Sequence, residues 1–294
     1  MQSLISLVGN TPLVDLQALL PADSKVRLFG KLEGQNPGGS VKDRAAYSMI
    51  QGALDRGEIN HQSHLVEATS GNTGIALAMI ASTLGIAITL IMPENSTVER
   101  VQTMRAYGAK VILTPAGQTI EYSRQLAEEM AASGDYHLLN QFANDDNWRA
   151  HFRTTGPEIW RDTKAGITHF VSSMGTTGTI TGTSRFLKSQ SEDIQIIGVQ
   201  PTDGSRIPGI RRWSPEFLPK IYDPTAVDRI IDVSQEQATT TMRRLAAEAG
   251  VFAGMSSGGA VTAALRLANE LSEGLIVCII CDRGDRYLSS GLFE

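Results

Sequence analysis

Lys42 stands in "NPGGSVKDRAAY" between a glycine-rich turn and the start of a helix. An amine held there can condense with a carbonyl or move a proton, although a lysine on a surface helix carried only for solubility has the same local pattern. Three other segments bring glycine and short hydroxyl or amide side chains to a strand-to-helix junction. In "EATSGNTGIA", Thr69, Ser70, Asn72 and Thr73 set small donors beside helix-start N–H groups, which suits a carboxylate and reads equally as a helix cap. In "SSMGTTGTITG", Gly175, Thr176, Thr177, Gly178 and Thr179 can wrap a phosphate with backbone and hydroxyl donors. In "AGMSSGGAV", Ser256 and Ser257 precede a helix and also read as an N-cap.

The phosphate segment matches neither G-x-G-x-x-G nor G-x-x-x-x-G-K-[ST], which argues against a dinucleotide or ATP and leaves a small phosphorylated cofactor. A lysine, a phosphate cradle and a carboxylate cradle in one chain suggest pyridoxal 5'-phosphate joined to lysine as a Schiff base and acting on an amino acid.

These loops need a scaffold. From Gln62 onward, apolar runs alternate with helical patterns: "HLVEA" then "NTGIALAMIASTLG", "ITLIMP" then "TVERVQTMRAYG", then "KVILTP". The order resumes with "THFVSSM", "IQIIGVQP" and "LIVCIICD". Strands that are apolar throughout, each followed by a crossover helix, predict an α/β fold with parallel sheets covered on both faces, and two sheets fit better than one. In open sheets of this kind, ligands sit beyond the carboxyl ends of strands, where all three loops fall. The segment from Thr202 to Pro224 is irregular, with Ile207, Ile210, Trp213, Phe217 and Leu218 as expected apolar anchors.

The 294 residues carry a net charge of −5, so total charge draws the chain neither to nucleic acid nor to an anionic membrane. The N-terminus lacks a basic stretch followed by a long apolar run, and no segment has the length of a membrane span; a cytoplasmic protein acting on small molecules is expected. Cys278 and Cys281 form a C-x-x-C in a strand-like run, where positions three apart face opposite ways, so neither a metal nor a disulfide is expected.

"NPGGSVKDRAA", "EATSGNTGIALAMIA", "MRAYGA", "TTGPEIW", "HFVSSMGTTGTITG", "IPGIRRW", "MSSGGAV" and "CDRGDRYLSSGLF" occur in family order over nearly the whole chain. Together they resemble the fold-type II pyridoxal phosphate enzymes of the tryptophan synthase β family, specifically the O-acetylserine sulfhydrylases of the B type. "CDRGDRYLS" stands where the A type has a "PSSGERYLS"-like string. The resemblance implies two open twisted sheets flanked by helices, with the cofactor in the cleft between a smaller domain, 40–147, and a larger one made of 1–39 and 148–294. It implies that Lys42 holds the cofactor, Asn72 bonds the ring hydroxyl, Gly175 through Thr179 bind the phosphate and Ser256 faces the pyridine nitrogen. Thr69, Ser70, Thr73 and Gln141 would take the substrate carboxylate, and Asn72 would also contact the substrate.

The activity implied is a β-replacement: O-acetyl-L-serine loses acetate, and sulfide or thiosulfate adds to give L-cysteine or S-sulfocysteine. Arg211 and Cys281 would border the nucleophile, and the protein would be a homodimer. Cystathionine β-synthases and serine/threonine dehydratases share much of this apparatus. A non-catalytic regulatory partner that keeps the fold is the reading from another class, and it would have no use for the lysine.

Overall fold

Runs of branched apolar residues fold as strands and group into two sheets. The computed structural model describes residues 3–69, 71–118 and 120–293. Among these, the strands are β1 (Leu13–Asp15), β2 (Val26–Leu32), β3 (His64–Ala68), β4 (Ala87–Pro93), β5 (Lys110–Thr114), β6 (His137–Leu138), β7 (His169–Ser173), β8 (Gln195–Pro201), β9 (Arg229–Val233) and β10 (Gly274–Ile280). The α-helices are α1 (Lys42–Asp55), α2 (Asn72–Leu84), α3 (Val98–Ala106), α4 (Ile120–Ala132), α5 (Asp145–Arg153), α6 (Thr155–Asp162), α7 (Gly178–Gln190), α8 (Gln235–Ala249) and α9 (Met255–Glu270).

The smaller sheet has the order β5-β4-β3-β6 and the larger β1-β2-β10-β7-β8-β9. Every neighbouring pair is parallel except β1 with β2. Parallel pairing requires crossovers, and the crossover helices cover the faces, which is why the strands are apolar on both sides. In the larger sheet, Val171 and Cys278 face a core shared with α8 and α9. Their neighbours Phe170 and Val277 face the opposite core, with Ile159, Ile180 and Leu187 from α6 and α7. The alternation is that of a strand buried on both faces. α2 is buried around most of its circumference, from Ile75 to Ala81, and forms the centre of the smaller core. Its apolar sequence and its Gly85 terminus, at φ 68°, account for both the burial and the stop.

The expected α/β architecture with two sheets is present. Strands β1, β2, β6 and β9 lay outside the sequence-level pattern, because β2 includes Arg27 and Lys31 and β6 is two residues long. In the irregular segment, Ile207 and Ile210 are buried as expected. Phe217 and Leu218 are instead 52% and 42% exposed, so they do not anchor it.

Lys31 is fully buried and belongs to an ion network that fixes the start of α1. Arg44 bonds both carboxylate oxygens of Glu33, at 2.7 and 2.8 Å, and both of Glu158, at 2.6 and 2.8 Å. Lys31 reaches Glu158 at 2.8 Å and the Thr11 carbonyl at 2.6 Å. Burial pushes the Glu33 and Glu158 carboxyls up, and the Arg44 guanidinium more than reverses this, leaving Glu158 at about 2 and Glu33 below the usual range.

Candidate active site

The carboxyl ends of β3, β7 and β10 open on a cleft of about 850 Å3, which the starts of α1 and α9 also reach. Lys42 enters it from a tightly built turn. Gly39 takes φ 80°, and the Gly38 N–H donates to Asp43 at 2.5 Å. A Cβ on Gly38 would lie 2.7 Å from the Asp43 carboxylate, so the glycine is required sterically. The turn is fixed to the end of β10 by the Val41 N–H, which donates to the Cys281 carbonyl at 2.8 Å, and by a Ser40–Asp282 bridge. Burial depresses the Lys42 ammonium below the ordinary lysine range, opposed only in part by Cys281, Asp282 and Glu33.

Beyond β3, Thr69 accepts the N–H groups of Gly71 at 3.3 Å and Gly74 at 3.1 Å, so it does cap this loop. The Thr73 hydroxyl donates to Gln141 Oε1 at 2.8 Å, joining the loop to the turn after β6. Ser70 lies outside the described residues. Asn72 faces the cleft with its amide already engaged: Nδ2 donates to Asp282 at 2.7 Å and Oδ1 accepts from Arg286 at 2.5 Å.

Beyond β7, Gly175, Thr176 and Thr179 line the cleft, while Thr177 and Gly178 are buried behind them. Thr177 takes φ 71°, an uncommon conformation for a β-branched residue, and it turns the chain so that the α7 N-terminus points at the cleft. Thr176 accepts from Asn147 Nδ2 at 3.2 Å, Thr179 pairs with His151 Nε2 at 3.3 Å, and Trp213 Nε1 donates to the Gly175 carbonyl at 2.8 Å. Burial and the nearby Arg44 push His151 down to about 3, so the imidazole supporting this loop is neutral.

Ser256 and Ser257 do not cap α9. The N-cap is Gly254, and both serines lie inside the first turn, with Ser256 lining the cleft and Ser257 Oγ accepting the Cys281 N–H at 2.9 Å. Cys281 lines the cleft as a neutral thiol, pushed up to about 11 by burial, and Cys278 is buried in the core. Arg211 lines the cleft, with its guanidinium 5.6 Å from the Trp213 ring centre. Its neighbour Arg212 is held by Asp203 and Asp232.

The cleft therefore gathers Lys42, Thr69, Asn72, Thr73, Gln141, Gly175, Thr176, Thr179, Arg211, Ser256 and Cys281. The sequence reading did not single out Asp282, Arg286 or Tyr287, which hold Asn72 and the lysine turn together. Asp282 accepts from Tyr287 OH at 2.7 Å as well as from Asn72, and Arg286 also donates to the Gly38 carbonyl. The available signal was a cluster of charges, "DRGDRY", directly after an apolar strand.

This donor set fits pyridoxal phosphate. The loop at Gly175–Thr179 presents a helix N-terminus and hydroxyls for a phosphate, and Lys42 offers an amine whose charged form is disfavoured. A Cβ on Gly175 would lie 2.7 Å from the Gly209 carbonyl, so the loop is closely packed where the phosphate would rest.

The family described as "Pyridoxal-phosphate dependent enzyme" matches residues 4–282. The chain is 58% identical over 287 residues to cysteine synthase B of Pseudomonas aeruginosa, covering 98% of this chain and 96% of that protein. It is 57% identical over 293 residues to cysteine synthase B of Escherichia coli, covering 100% and 96%. Among solved structures, the cysteine synthase of Entamoeba histolytica superposes with a TM-score of 0.94 at 34% identity, covering 100% of this chain and 90% of that one.

Proposed function

The chain belongs to the pyridoxal-phosphate dependent enzymes, and on that premise we propose how its residues carry out the synthesis of cysteine. It is a cysteine synthase, converting O-acetyl-L-serine and sulfide to L-cysteine and acetate by β-replacement. One observation carries the assignment of parts: a half-buried amine with a depressed pKa, Lys42, shares one cleft with an anion cradle at Gly175–Thr179 and with the hydroxyls of Thr69 and Thr73 at a helix start.

When bound, pyridoxal phosphate supplies an aldehyde that condenses with amines and a ring that takes up the electron pair released at Cα. Lys42 would hold it through Nζ, and its free amine would remove the Cα proton and later return one. Burial serves this role because it disfavours the charged ammonium, and the neutral amine is the form that can accept a proton. Gly175, Thr176, Thr177, Gly178 and Thr179 hold the phosphate, and Asn72 the ring hydroxyl through its remaining amide hydrogen. Ser256 faces the ring nitrogen with a neutral hydroxyl, which does little to keep that nitrogen protonated and suits a reaction in which acetate departs as charge develops. Thr69, Ser70, Thr73 and Gln141, with the N–H at Asn72, hold the substrate carboxylate.

Arg211 and Cys281 border the position of the nucleophile. A guanidinium there favours a dianion, so thiosulfate is an alternative sulfur donor giving S-sulfocysteine. A cytoplasmic homodimer, with residues 40–147 forming the smaller domain, completes the proposal and rests on the sequence resemblance.

Absorbance of the purified protein with pyridoxal phosphate tests the reading. A band from the lysine-bound cofactor should shift on addition of O-acetyl-L-serine and return on addition of sulfide, with one cysteine formed per acetate released. A band that ignores O-acetyl-L-serine, or its absence, would overturn it.

A further inference from the structure

Glu67 places a carboxyl where a hydrocarbon would pack. It is the fourth residue of β3, 3% exposed, between Val66 and Ala68 and paired across the sheet with Leu90. Its Oε2 accepts the Asn140 N–H at 2.8 Å, and the neighbouring Gln141 acts with that N–H to offset part of the effect of burial on this carboxyl. Asn140 takes φ 54°, in the left-handed region, and its carbonyl accepts the N–H groups of Ala143 and Asn144 at 3.0 Å. Such a turn persists only when its surroundings hold it, and Glu67 holds it from inside the sheet.

The turn reaches two loops of the cleft. Gln141 Oε1 accepts the Thr73 hydroxyl at 2.8 Å, and its Nε2 donates to the Ala68 carbonyl at 3.3 Å. The Gln141 carbonyl accepts from Asn147 Nδ2 at 2.7 Å, and the same amide reaches Thr176 at 3.2 Å. A leucine at position 67 would fill the space without providing an acceptor for the Asn140 N–H, leaving it unmet.

We propose that Glu67 is a positioning residue which, through the Asn140–Gln141 turn, fixes Gln141 against Thr73 and so shapes the seat of the substrate carboxylate without touching the substrate. Burial keeps the carboxyl up at about 8, with Arg124 of α4 as the cation acting on it, so a neutral side chain of the same shape should replace it. The inference rests on the reading of Gln141 and Thr73 as carboxylate ligands.

The test is a double-mutant cycle in the holoenzyme, reading kcat and KM for O-acetyl-L-serine together with the absorbance of bound cofactor. Glu67→Ala should raise KM about ten-fold while kcat stays within about three-fold, as expected for one lost buried hydrogen bond. The cofactor band should be unchanged. Glu67→Gln should restore KM to within about three-fold of the parent. Combined with Gln141→Ala, Glu67→Ala should add almost nothing, because both act along one path. Multiplying losses, or an unchanged KM in Glu67→Ala beside a raised KM in Gln141→Ala, would overturn the inference. If Gln141→Ala itself leaves KM unchanged, the carboxylate role of Gln141 fails, and the inference with it. Should Glu67→Ala not fold, Glu67→Leu takes its place in the same cycle with the same expected outcomes.

Discussion

Lys42 and Arg44 are two residues apart on α1 and so face different sides of the helix, toward two buried polar regions built in opposite ways. On the Arg44 side, Glu33 and Glu158 are each met by both arms of a guanidinium, and Lys31 adds a second cation to Glu158. Those carboxyls are held below their usual range. Away from that network, Asp43 and Glu67 are each met by a backbone N–H, and burial pushes the two up to about 7 and about 8. Matched charges commit every group to the scaffold. Neutral donors leave the protonation state of a group open to its surroundings.

The contrast breaks most sharply at Lys42. Lys42→Ala should lower turnover by about 10⁴-fold, since the covalent anchor and the proton-transfer group go together, while thermal unfolding stays cooperative. Near-normal turnover in the folded variant would remove the basis of the comparison. Arg44→Ala should do the reverse, destabilising the fold by about 3–5 kcal/mol in denaturant titration because two buried carboxylates lose their partner, while kcat per folded molecule changes little.

The pH dependence of stability should separate the two regions. Glu158, lowered to about 2, contributes stability that is present above the unfolded value of 4.5 and is lost as pH falls toward 2. Glu67, raised to about 8, works the other way: between 4.5 and 8 the folded chain retains a proton that the unfolded chain has released, so stability declines as pH rises. Relative to the parent, Glu67→Gln should flatten that decline by on the order of 2–3 kcal/mol, read from denaturant midpoints across the window. Parallel curves would mean that Glu67 is ionised in the folded protein. The smallest effect is at Arg211. Arg211→Ala should slow the second half-reaction about ten-fold with thiosulfate and less than about two-fold with sulfide in rapid-mixing spectra, and equal losses would remove the arginine from donor selection.

How much of this the sequence disclosed follows from the range of the forces involved. β3, β4, β5, β7, β8 and β10 were legible because runs of branched apolar residues between helical patterns specify themselves locally. So were Lys42 and the loops at Thr69 and Gly175, since each is a turn next to a helix start. The Arg44–Glu158 pair spans 114 positions, and no local pattern announces it. Lys31 interrupts an apolar strand and reads as a break until its partners are seen. Glu67 lies within "HLVEA" and reads only as part of a strand; the signal is a carboxyl at a position that the run predicts to be buried. Asp282 and Tyr287 acquire a role only when β10 brings them beside Asn72.

β10 is the strand that completes the larger sheet. It lies between β2 and β7, pairing Cys278 with Gly30 on one side and Val171 on the other. The strands of the smaller sheet are all synthesised by Leu138, so that half can fold while the ribosome is still working. The larger half must wait for Ile280, and at about 5–20 residues per second the intervening stretch of roughly 140 residues takes on the order of ten to thirty seconds. Until β10 is made, β2, and β7 once it has been synthesised, each present an unpaired edge open to pairing with other nascent chains. Recovery of soluble protein should therefore depend on translation rate and chaperone supply more than the stability of the finished fold would suggest.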